Sequence, residues 1–416
     1  MKTIKQFFPL IALIIAMFIG CNPDNNINDN HNNSNDSIKN DSIKNDSVSN
    51  KDTLNNDTIT IKEDTIDNVE TEPFYIVKSS RPAWYNEHPM ASTEADFSVK
   101  TDAVRLHFYG WGLDEDSVIT VKFPESTTQY NRAILTYRMG GWNEGPADWD
   151  MTTMIMLKNP HDGKFYEIVR AFTPYGGYFD ANWEKLYYMD ITEYLPMLNG
   201  EVEFHIYYGG WDATDKKAHT VTLTFDFYEG EKEKNTIFYQ NIYDSRSSSN
   251  IGYRSWAYGV EGNDIEDIER LGLREVQLPK EVKSLLMKVS ISGHGADRGV
   301  FPDRGTTGKG KRANNAAEFD ENFYRVILNG EQKFEGHIFY ENDSTYKQAG
   351  TYKYDRANWG PGLPLKVDWL EIHNLPKDGK LNIDFNLDRF NSKVNDLKGE
   401  GVANYIIEVD IFGYDK

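Results

Sequence analysis

Short segments of alternating apolar and polar residues run through most of the chain after Pro73 and constrain its fold more than any other feature. A period of two is typical of β-strands with one buried face, and Gly, Pro, Asn and Asp separate these segments as turns. The predicted strands cover residues 117–123, 132–139, 152–158, 165–172, 201–208, 219–228, 284–293, 322–330, 366–374, 380–387 and 404–414. A helical period is rare, although DIEDIERLGL at 264–273 predicts one or two turns. Many short strands at close, regular intervals indicate an all-β fold of sandwiches or jelly rolls.

A charged segment, EGEKEKN at 229–235, divides the predicted strands into two blocks of similar size. A chain of 416 residues is also longer than one ordinary domain and suits two. We therefore predict two antiparallel β-domains in series, at residues 73–230 and 231–416.

The first 21 residues have the pattern of a signal peptide. Lys2 and Lys5 precede an apolar run, FFPLIALIIAMFIG, that is too short for a standard membrane span. The run ends at Gly20–Cys21 and resembles a bacterial lipoprotein processing site, although Phe18 stands where Leu, Val or Ile is usual. The alternative is an ordinary secretory signal with an incidental cysteine. We expect lipidation at Cys21 and a place outside the cytoplasm of a Gram-negative bacterium, at the outer membrane or cell surface, with the periplasm as the alternative.

Residues 22–72 have low complexity. The unit NDSIK is repeated, and Asn, Asp, Ser and Thr dominate the segment. Such a composition buries too little apolar surface to offset the entropy of ordering the chain. We predict that residues 22–72 form a disordered tether between Cys21 and the folded part.

Composition narrows the possible functions. The chain has 45 basic and 65 acidic residues, a net charge of −20, which argues against binding to nucleic acid. Cys21 is the only cysteine, so no disulfide is expected, and the nine histidines show no HExxH or His-x-His spacing. GTTGKGKR at 305–312 matches only part of a phosphate-binding loop and is interpreted as a loop. We expect no metal and no other cofactor.

Two carboxylates stand out from the many acidic residues. Asp150, in GWNEGPADWD at 141–150, precedes one apolar strand, and Glu318, in AAEFDENF, precedes another. A carboxylate in apolar or aromatic surroundings is energetically costly, so its presence there indicates a function. Four tryptophans lie in Gly- and Pro-rich loops, where an indole ring can stack on the apolar face of a sugar: Trp142, Trp149, Trp211 and Trp359. These residues predict a carbohydrate site with catalytic acids. The alternative for the tryptophans is a structural role, in which they fill the ends of the sandwiches.

From about His107 to its C-terminus the chain resembles the peptide-N-glycosidase F family. The resemblance rests on DWDMTTMIMLKNPHDGKFYEIVRAFTPYG, on MDITEY with EVEFHIYYGGW, and on SISGHG, AAEFDENFYRVILN and DRANWGPG in the second half. Separated motifs in the family's order are more specific than any one alone.

The resemblance implies two eight-stranded antiparallel jelly-roll sandwiches packed side by side, with the site in a cleft between them. It implies an amidase that hydrolyses the bond between Asn and the innermost GlcNAc of N-linked glycoproteins and turns Asn into Asp. The residues it implies are Asp150 and Glu318 for catalysis, and Trp149, Trp211, His294, Arg356 and Trp359 for substrate binding. No metal is required, and we expect a monomer that meets the membrane only through its lipid anchor.

The chain departs from the family pattern at several positions. Gly209 replaces a glutamate two residues before Trp211, and Met151 replaces the arginine that usually follows the aspartate. Phe319 flanks the second acid, and His294 stands where the prototype has a tryptophan. The prototype's cysteines are replaced by residues such as Ala316, Asp320 and Gly360. We expect Asp212, next to Trp211, to supply part of the missing carboxylate's role in substrate binding.

The sequence is also compatible with two other functions. The first is a binding lipoprotein that holds an N-glycan or glycopeptide in the same cleft without cleaving it. The loss of one acid and one arginine favours it, whereas retention of Asp150 and Glu318 favours catalysis. The second is a copper oxygenase built on paired jelly rolls, and the absence of His-x-His argues against it.

Overall fold

The computed structural model describes residues 74–107, 117–210, 212–245, 271–294, 318, 321–341, 355–387 and 404–416. Residues Val69–Lys416 form one compact unit. The predicted signal peptide at 1–21, the predicted tether at 22–72, Trp211, the segment 305–312 and most of the predicted helix at 264–273 lie outside the described residues. The described part has no helix long and apolar enough to cross a membrane.

The described residues form eighteen β-strands and two short 3-10 helices, Gly176–Tyr178 and Thr192–Met197. The first ten strands are β1 (Tyr75–Lys78), β2 (Phe97–Lys100), β3 (Val104–Arg105), β4 (Ser117–Lys122), β5 (Tyr130–Gly141), β6 (Thr152–Lys158), β7 (Phe165–Phe172), β8 (Glu184–Asp190), β9 (Glu201–Tyr208) and β10 (His219–Glu229). The remainder are β11 (Thr236–Tyr243), β12 (Arg274–Gln277), β13 (Ser284–His294), β14 (Asn322–Leu328), β15 (Glu331–Ile338), β16 (Val367–His373), β17 (Lys380–Leu387) and β18 (Asn404–Tyr414).

These strands pair in four antiparallel sheets. Two sheets use strands of the first half, in the orders β2-β10-β5-β8, with β3 also on β10, and β4-β9-β6-β7. The other two have the orders β1-β16-β13-β18-β11 and β12-β17-β14-β15. The predicted all-β antiparallel fold is confirmed, whereas the arrangement as two eight-stranded jelly rolls stays a prediction.

The described residues form two large apolar cores, the first of which also includes second-half side chains such as Leu286 and Phe412. The first takes side chains from both first-half sheets, including Leu135 on β5 and Phe204 on β9. The second takes side chains from the other two, including Met287 on β13 and Phe385 on β17. Apolar alternation along strands such as β17 supplies one buried face, whereas β6 and β13 are buried on both faces.

The charged segment 229–235 lies between the end of β10 at Glu229 and the start of β11 at Thr236. The strand β1 is an exception to the division of strands at this point, because it pairs with β16 in a sheet of the second half. The domain bounds 73–230 and 231–416 stay a prediction.

A buried ion pair on β7 of the first half is hydrogen-bonded to residues of the second half. Arg170 on β7 donates to the Glu167 carboxylate, with Nη2 2.6 Å from Oε2, and both side chains are buried. The same guanidinium reaches across to the second half, where Nη1 donates to Ser292 Oγ and to the Ile406 carbonyl oxygen, each at 2.9 Å. Glu167 in turn accepts a hydrogen bond from Ser245 Oγ at 3.2 Å. Arg170 thus satisfies groups in both halves and fixes their contact.

We expect Arg170→Met to lower the free energy of unfolding by about 3–5 kcal/mol, because it leaves the Glu167 carboxylate buried without its cation. The double variant Glu167→Leu/Arg170→Met should be less destabilised, since no charge is then left alone. Urea unfolding of the two variants and the wild type measures both effects. A double variant at least as unstable as Arg170→Met would contradict the importance of this pairing.

Candidate active site

Asp150 is held at the mouth of β6 by one threonine. The Thr173 hydroxyl donates to the Trp149 carbonyl oxygen at 2.8 Å and accepts from the Met151 backbone N–H at 2.8 Å. Thr173 therefore binds the chain on both sides of Asp150. The turn before it depends on Asn143 and Gly145, which have φ values of 49° and 142°, in the region that Gly and Asn adopt most readily.

Glu318 and Arg356 come from neighbouring segments of the second half. The Ala357 N–H donates to the Glu318 carbonyl oxygen at 2.9 Å. Arg356 also pairs with Tyr340 through backbone hydrogen bonds of 2.8 and 3.2 Å. These bonds place the side chain of the arginine beside that of the glutamate.

The Arg356 guanidinium joins the two carboxylates. Its Nε lies 3.1 Å from Glu318 Oε1, and its Nη2 lies 3.3 Å from Asp150 Oδ2 and 3.4 Å from the Tyr175 hydroxyl oxygen. The arginine side chain is 0% exposed, whereas Asp150 and Glu318 are 12% and 20% exposed. One fully buried cation from the second half thus holds an acid of each half at the surface of the site.

Burial has the largest effect on the pKa of Asp150 and raises it to about 7. The Arg356 charge and a hydrogen bond from Tyr175 lower this pKa, and the nearby Glu318 carboxylate raises it. Burial disfavours the cation of Arg356, but attraction to Asp150 and Glu318 outweighs it, so that the pKa of Arg356 is raised and the side chain stays charged. Asp150 is consequently able to hold or release a proton near neutral pH.

Aromatic rings support Arg356 from the side. Its guanidinium carbon lies 4.7 Å from the centre of the buried Trp359 ring, close enough for a cation–π contact. Trp359 stacks on Phe172 with a centroid distance of 4.2 Å, and its Nε1 donates to the Gly293 carbonyl oxygen at 2.8 Å. Trp359 therefore positions the arginine and lies beneath the surface of the site.

His294 belongs to the same stack. Its ring lies 5.7 Å from Trp359 and from Phe172, and its Nε2 is 2.7 Å from Ser292 Oγ. Burial, assisted by the charge of Arg170, lowers the pKa of His294 to about 3. The imidazole is therefore neutral near pH 7, and Ser292 connects the site to the ion pair at the junction of the halves.

Trp149 and Asp212 form the edge of the site. Trp149 is 39% exposed and meets the Tyr175 ring edge-on at 6.3 Å. The Asp212 carboxylate accepts from the Trp149 backbone N–H and from the Tyr208 hydroxyl, each at 2.8 Å. Burial raises the pKa of Asp212, which these two hydrogen bonds partly offset. Asp212 thus positions the backbone next to Asp150.

Gly209, where the family pattern has a glutamate, leaves little room for a side chain. A Cβ atom at this position would lie 3.1 Å from the Tyr207 hydroxyl oxygen. The Gly209 N–H donates to the Thr152 carbonyl oxygen at 2.9 Å, which keeps the backbone close to the start of β6. Restoring the acid here would require Tyr207 to move.

The structure thus brings together most of the predicted site residues: Asp150, Glu318, Arg356, Trp359, His294, Trp149 and Asp212. Trp211 and Cys21 lie outside the described residues. Sequence reasoning missed Thr173, Tyr175 and Phe172, although all three lie in or beside the quoted motif FYEIVRAFTPYG. No group of three His, Cys, Asp or Glu side chains arranged to hold a metal occurs in the described part.

No protein-family model matches the chain. It is 25% identical to the peptide-N(4)-(N-acetyl-β-D-glucosaminyl)asparagine amidase F of Elizabethkingia miricola over 294 residues, which are 67% of this chain and 75% of that protein. The predicted resemblance to the peptide-N-glycosidase F family is confirmed by this relative.

Solved structures share its fold. A crystal structure of peptide-N(4)-(N-acetyl-β-D-glucosaminyl)asparagine amidase matches with a TM-score of 0.60 and 20% identity, over 76% of this chain and 96% of the other. The structure of PNGF-II matches with a TM-score of 0.54 and 17% identity, over 82% of this chain and 65% of the other. The peptide-N-glycosidase F fold therefore extends over most of the chain.

We expect ionisation of Asp150 to reduce stability as the pH rises. Its pKa of about 7 in the folded chain lies above the ordinary value of 3.8, so its contribution is fully present below about pH 4 and is lost as the pH rises through 7. Asp150→Asn should therefore stabilise the chain more at pH 8 than at pH 5. Urea unfolding at both values measures this difference, with Asp148→Asn as a control for removing a carboxylate from the same loop. An effect of Asp150→Asn that is equal at the two values would contradict the raised pKa.

Proposed function

We propose that this chain is an amidase that hydrolyses the bond between Asn and the innermost GlcNAc of N-linked glycoproteins and glycopeptides. The reaction releases the glycan as a glycosylamine, which later loses ammonia, and leaves Asp in place of Asn. The 25% identical relative carries the name of this activity. The observation that carries the proposal is the pair Asp150 and Glu318 on the single buried cation Arg356.

The geometry suits attack of water on an amide. A water oxygen adds to the side-chain carbonyl carbon of the glycosylated Asn, the bond from that carbon to nitrogen breaks, and the nitrogen leaves with a proton. One carboxylate takes the proton of the water, and the other positions the water or supplies the proton to the nitrogen. Asp150 fits the central role because its pKa of about 7 lets it accept and return a proton at neutral pH.

Arg356 acts through the two acids. Its side chain is 0% exposed, so it contacts the carboxylates instead of the substrate. Its charge favours the ionised form of Asp150 and lowers the cost of negative charge that develops during attack on the carbonyl. This scheme requires no metal or other cofactor.

The sequence also supports a proposal for location. Lipidation at Cys21 and a tether at 22–72 would hold the folded part outside the cytoplasm, at the outer membrane or the cell surface. A large glycoprotein is accessible to an enzyme in that place. The membrane contact is then limited to the lipid, and the protein acts as a monomer.

The test is hydrolysis of a defined N-glycopeptide in H₂¹⁸O, followed by mass spectrometry. We expect a free peptide with Asp in place of the glycosylated Asn and one ¹⁸O atom in that new carboxyl group. Asp150→Asn and Glu318→Gln should each lower the rate by about 10²–10⁴, because each removes a proton-transfer group. Asp212→Ala in the same assay tests whether Asp212 supports substrate binding, which its hydrogen bond to the backbone of Trp149 favours.

A binding lipoprotein is the alternative, favoured by Gly209 and Met151 at positions where the family pattern has charged residues. Intact glycopeptide that binds the chain without being cleaved would support this alternative. A peptide that retains one GlcNAc would mean cleavage between sugars and would overturn the amidase mechanism.

A further inference from the structure

Exposed aromatic side chains gather beside Asp150. Four large aromatic side chains are exposed among the described residues. Three of them lie in two loops next to this acid, the loop between β5 and β6 and the loop between β7 and β8. They are Trp142, Trp149 and Tyr178, which are 38%, 39% and 68% exposed. Clustered aromatic surface of this kind marks a site of interaction.

The two loops that carry these rings pack tightly on each other. At Gly176 an added Cβ would lie 2.0 Å from the Ala147 carbonyl oxygen, so only glycine fits this approach. At Gly145 an added Cβ would lie 3.1 Å from the Phe179 carbonyl oxygen, and Phe179 is itself fixed by stacking on Trp183 at 4.9 Å. The backbones under the exposed rings are therefore preorganised, which lowers the entropy cost of binding.

The position of Tyr178 relates it to the acids. The 3-10 helix Gly176–Tyr178 directly follows Tyr175, whose hydroxyl oxygen lies 3.4 Å from Arg356 Nη2. At a rise of about 2.0 Å per residue, the backbone of Tyr178 lies about 6 Å along the helix from that of Tyr175. Trp149 adjoins Asp150 directly, so the exposed rings extend outward from the reaction centre.

The charges around the rings balance each other. The Lys216 Nζ lies 3.0 Å from Glu144 Oε1, and the Lys217 Nζ lies 3.6 Å from Asp148 Oδ1. Arg105 covers one side of Trp142, with its guanidinium carbon 5.8 Å from the ring centre. Aromatic faces with paired charges at their edges suit a neutral ligand that has both apolar faces and hydroxyl groups, as a hexose has.

We infer that Trp142 and Tyr178 bind neutral sugars of the N-glycan that lie beyond its two GlcNAc residues. This inference rests on the proposed amidase function and extends its site outward. It makes the chain selective for glycans long enough to reach these rings, and Trp149 connects them to Asp150.

The test compares two glycopeptides with the same peptide, one with a full oligomannose glycan and one trimmed to two GlcNAc residues. In the wild-type chain, kcat/KM should be higher for the full glycan. In the double variant Trp142→Ala/Tyr178→Ala, the ratio of kcat/KM between the full and the trimmed substrate should fall about tenfold, because two stacking contacts with the outer sugars are lost. Tyr75→Ala is the control, because Tyr75 is an exposed tyrosine on β1 in a sheet of the second half, and it should leave the ratio unchanged.

An equal fall for both substrates, or no fall for either, would overturn the inference while leaving the amidase intact. If the wild-type chain cleaves neither substrate, the proposed function fails. In that case the inference is tested by titrating the full glycopeptide into each variant and measuring its affinity by tryptophan fluorescence and calorimetry. Weaker binding to the double variant than to Tyr75→Ala would support it, and equal binding would overturn it.

Discussion

The site depends on one buried guanidinium. Arg356 cannot reach water, so its charge must be neutralised inside the protein, and the groups that neutralise it are the two acids of the site. Because Asp150 comes from the first half of the chain and Glu318 from the second, this interaction also fixes the distance between the halves at the reaction centre. Burial, which the Arg356 charge only partly offsets, raises the pKa of Asp150 to about 7, and this value suits proton transfer near neutral pH.

Two arginines cross the junction in opposite directions. Arg356 of the second half donates to Asp150 and Tyr175 of the first, and Arg170 of the first donates to Ser292 and Ile406 of the second. The stack of Trp359, Phe172 and His294 lies between the two and links them through Ser292. Buried arginines suit this role because the planar guanidinium donates several hydrogen bonds in fixed directions. A change at Arg170 is therefore expected to reach the acids through packing, without any contact with substrate.

Among the described strands, the sequence allowed every internal strand of the sheets to be predicted, but only two of the eight edge strands, β4 and β7. β6, β7, β9, β17 and β18 have the predicted bounds, and each carries several apolar residues. The strands that were not predicted are β1, β2, β3, β8, β11, β12 and β15, which lie at the edges of the sheets or, in the case of β3, share β10 with the edge strand β2. Edge strands bury less surface, so a short or charged sequence, such as EQKFEGHI in β15, is tolerated there. Such sequences lack the alternation of apolar and polar residues by which strands are predicted.

Some residues of the site could likewise be predicted from the sequence, and others could not. Asp150 and Glu318 were predictable because a carboxylate beside an apolar strand is locally unusual. Arg356 and Trp359 came only from the resemblance of DRANWGPG to a family motif, and nothing in that loop indicates that both side chains are buried. Thr173 and Tyr175 were missed because their roles depend on residues that are distant in sequence, such as Arg356, and such contacts leave no local pattern.

The most direct test of this account is the single-turnover rate of glycan release by Arg356→Met and Arg356→Lys, with Asp150 and Glu318 retained. We expect Arg356→Met to lose at least 10² in rate with little change in substrate affinity, because the acids lose their common partner and move apart. Arg356→Lys should recover only part of the rate, since an ammonium cannot reproduce the forked contact. A wild-type rate in Arg356→Met would contradict the claim that this buried cation assembles the two acids into one site.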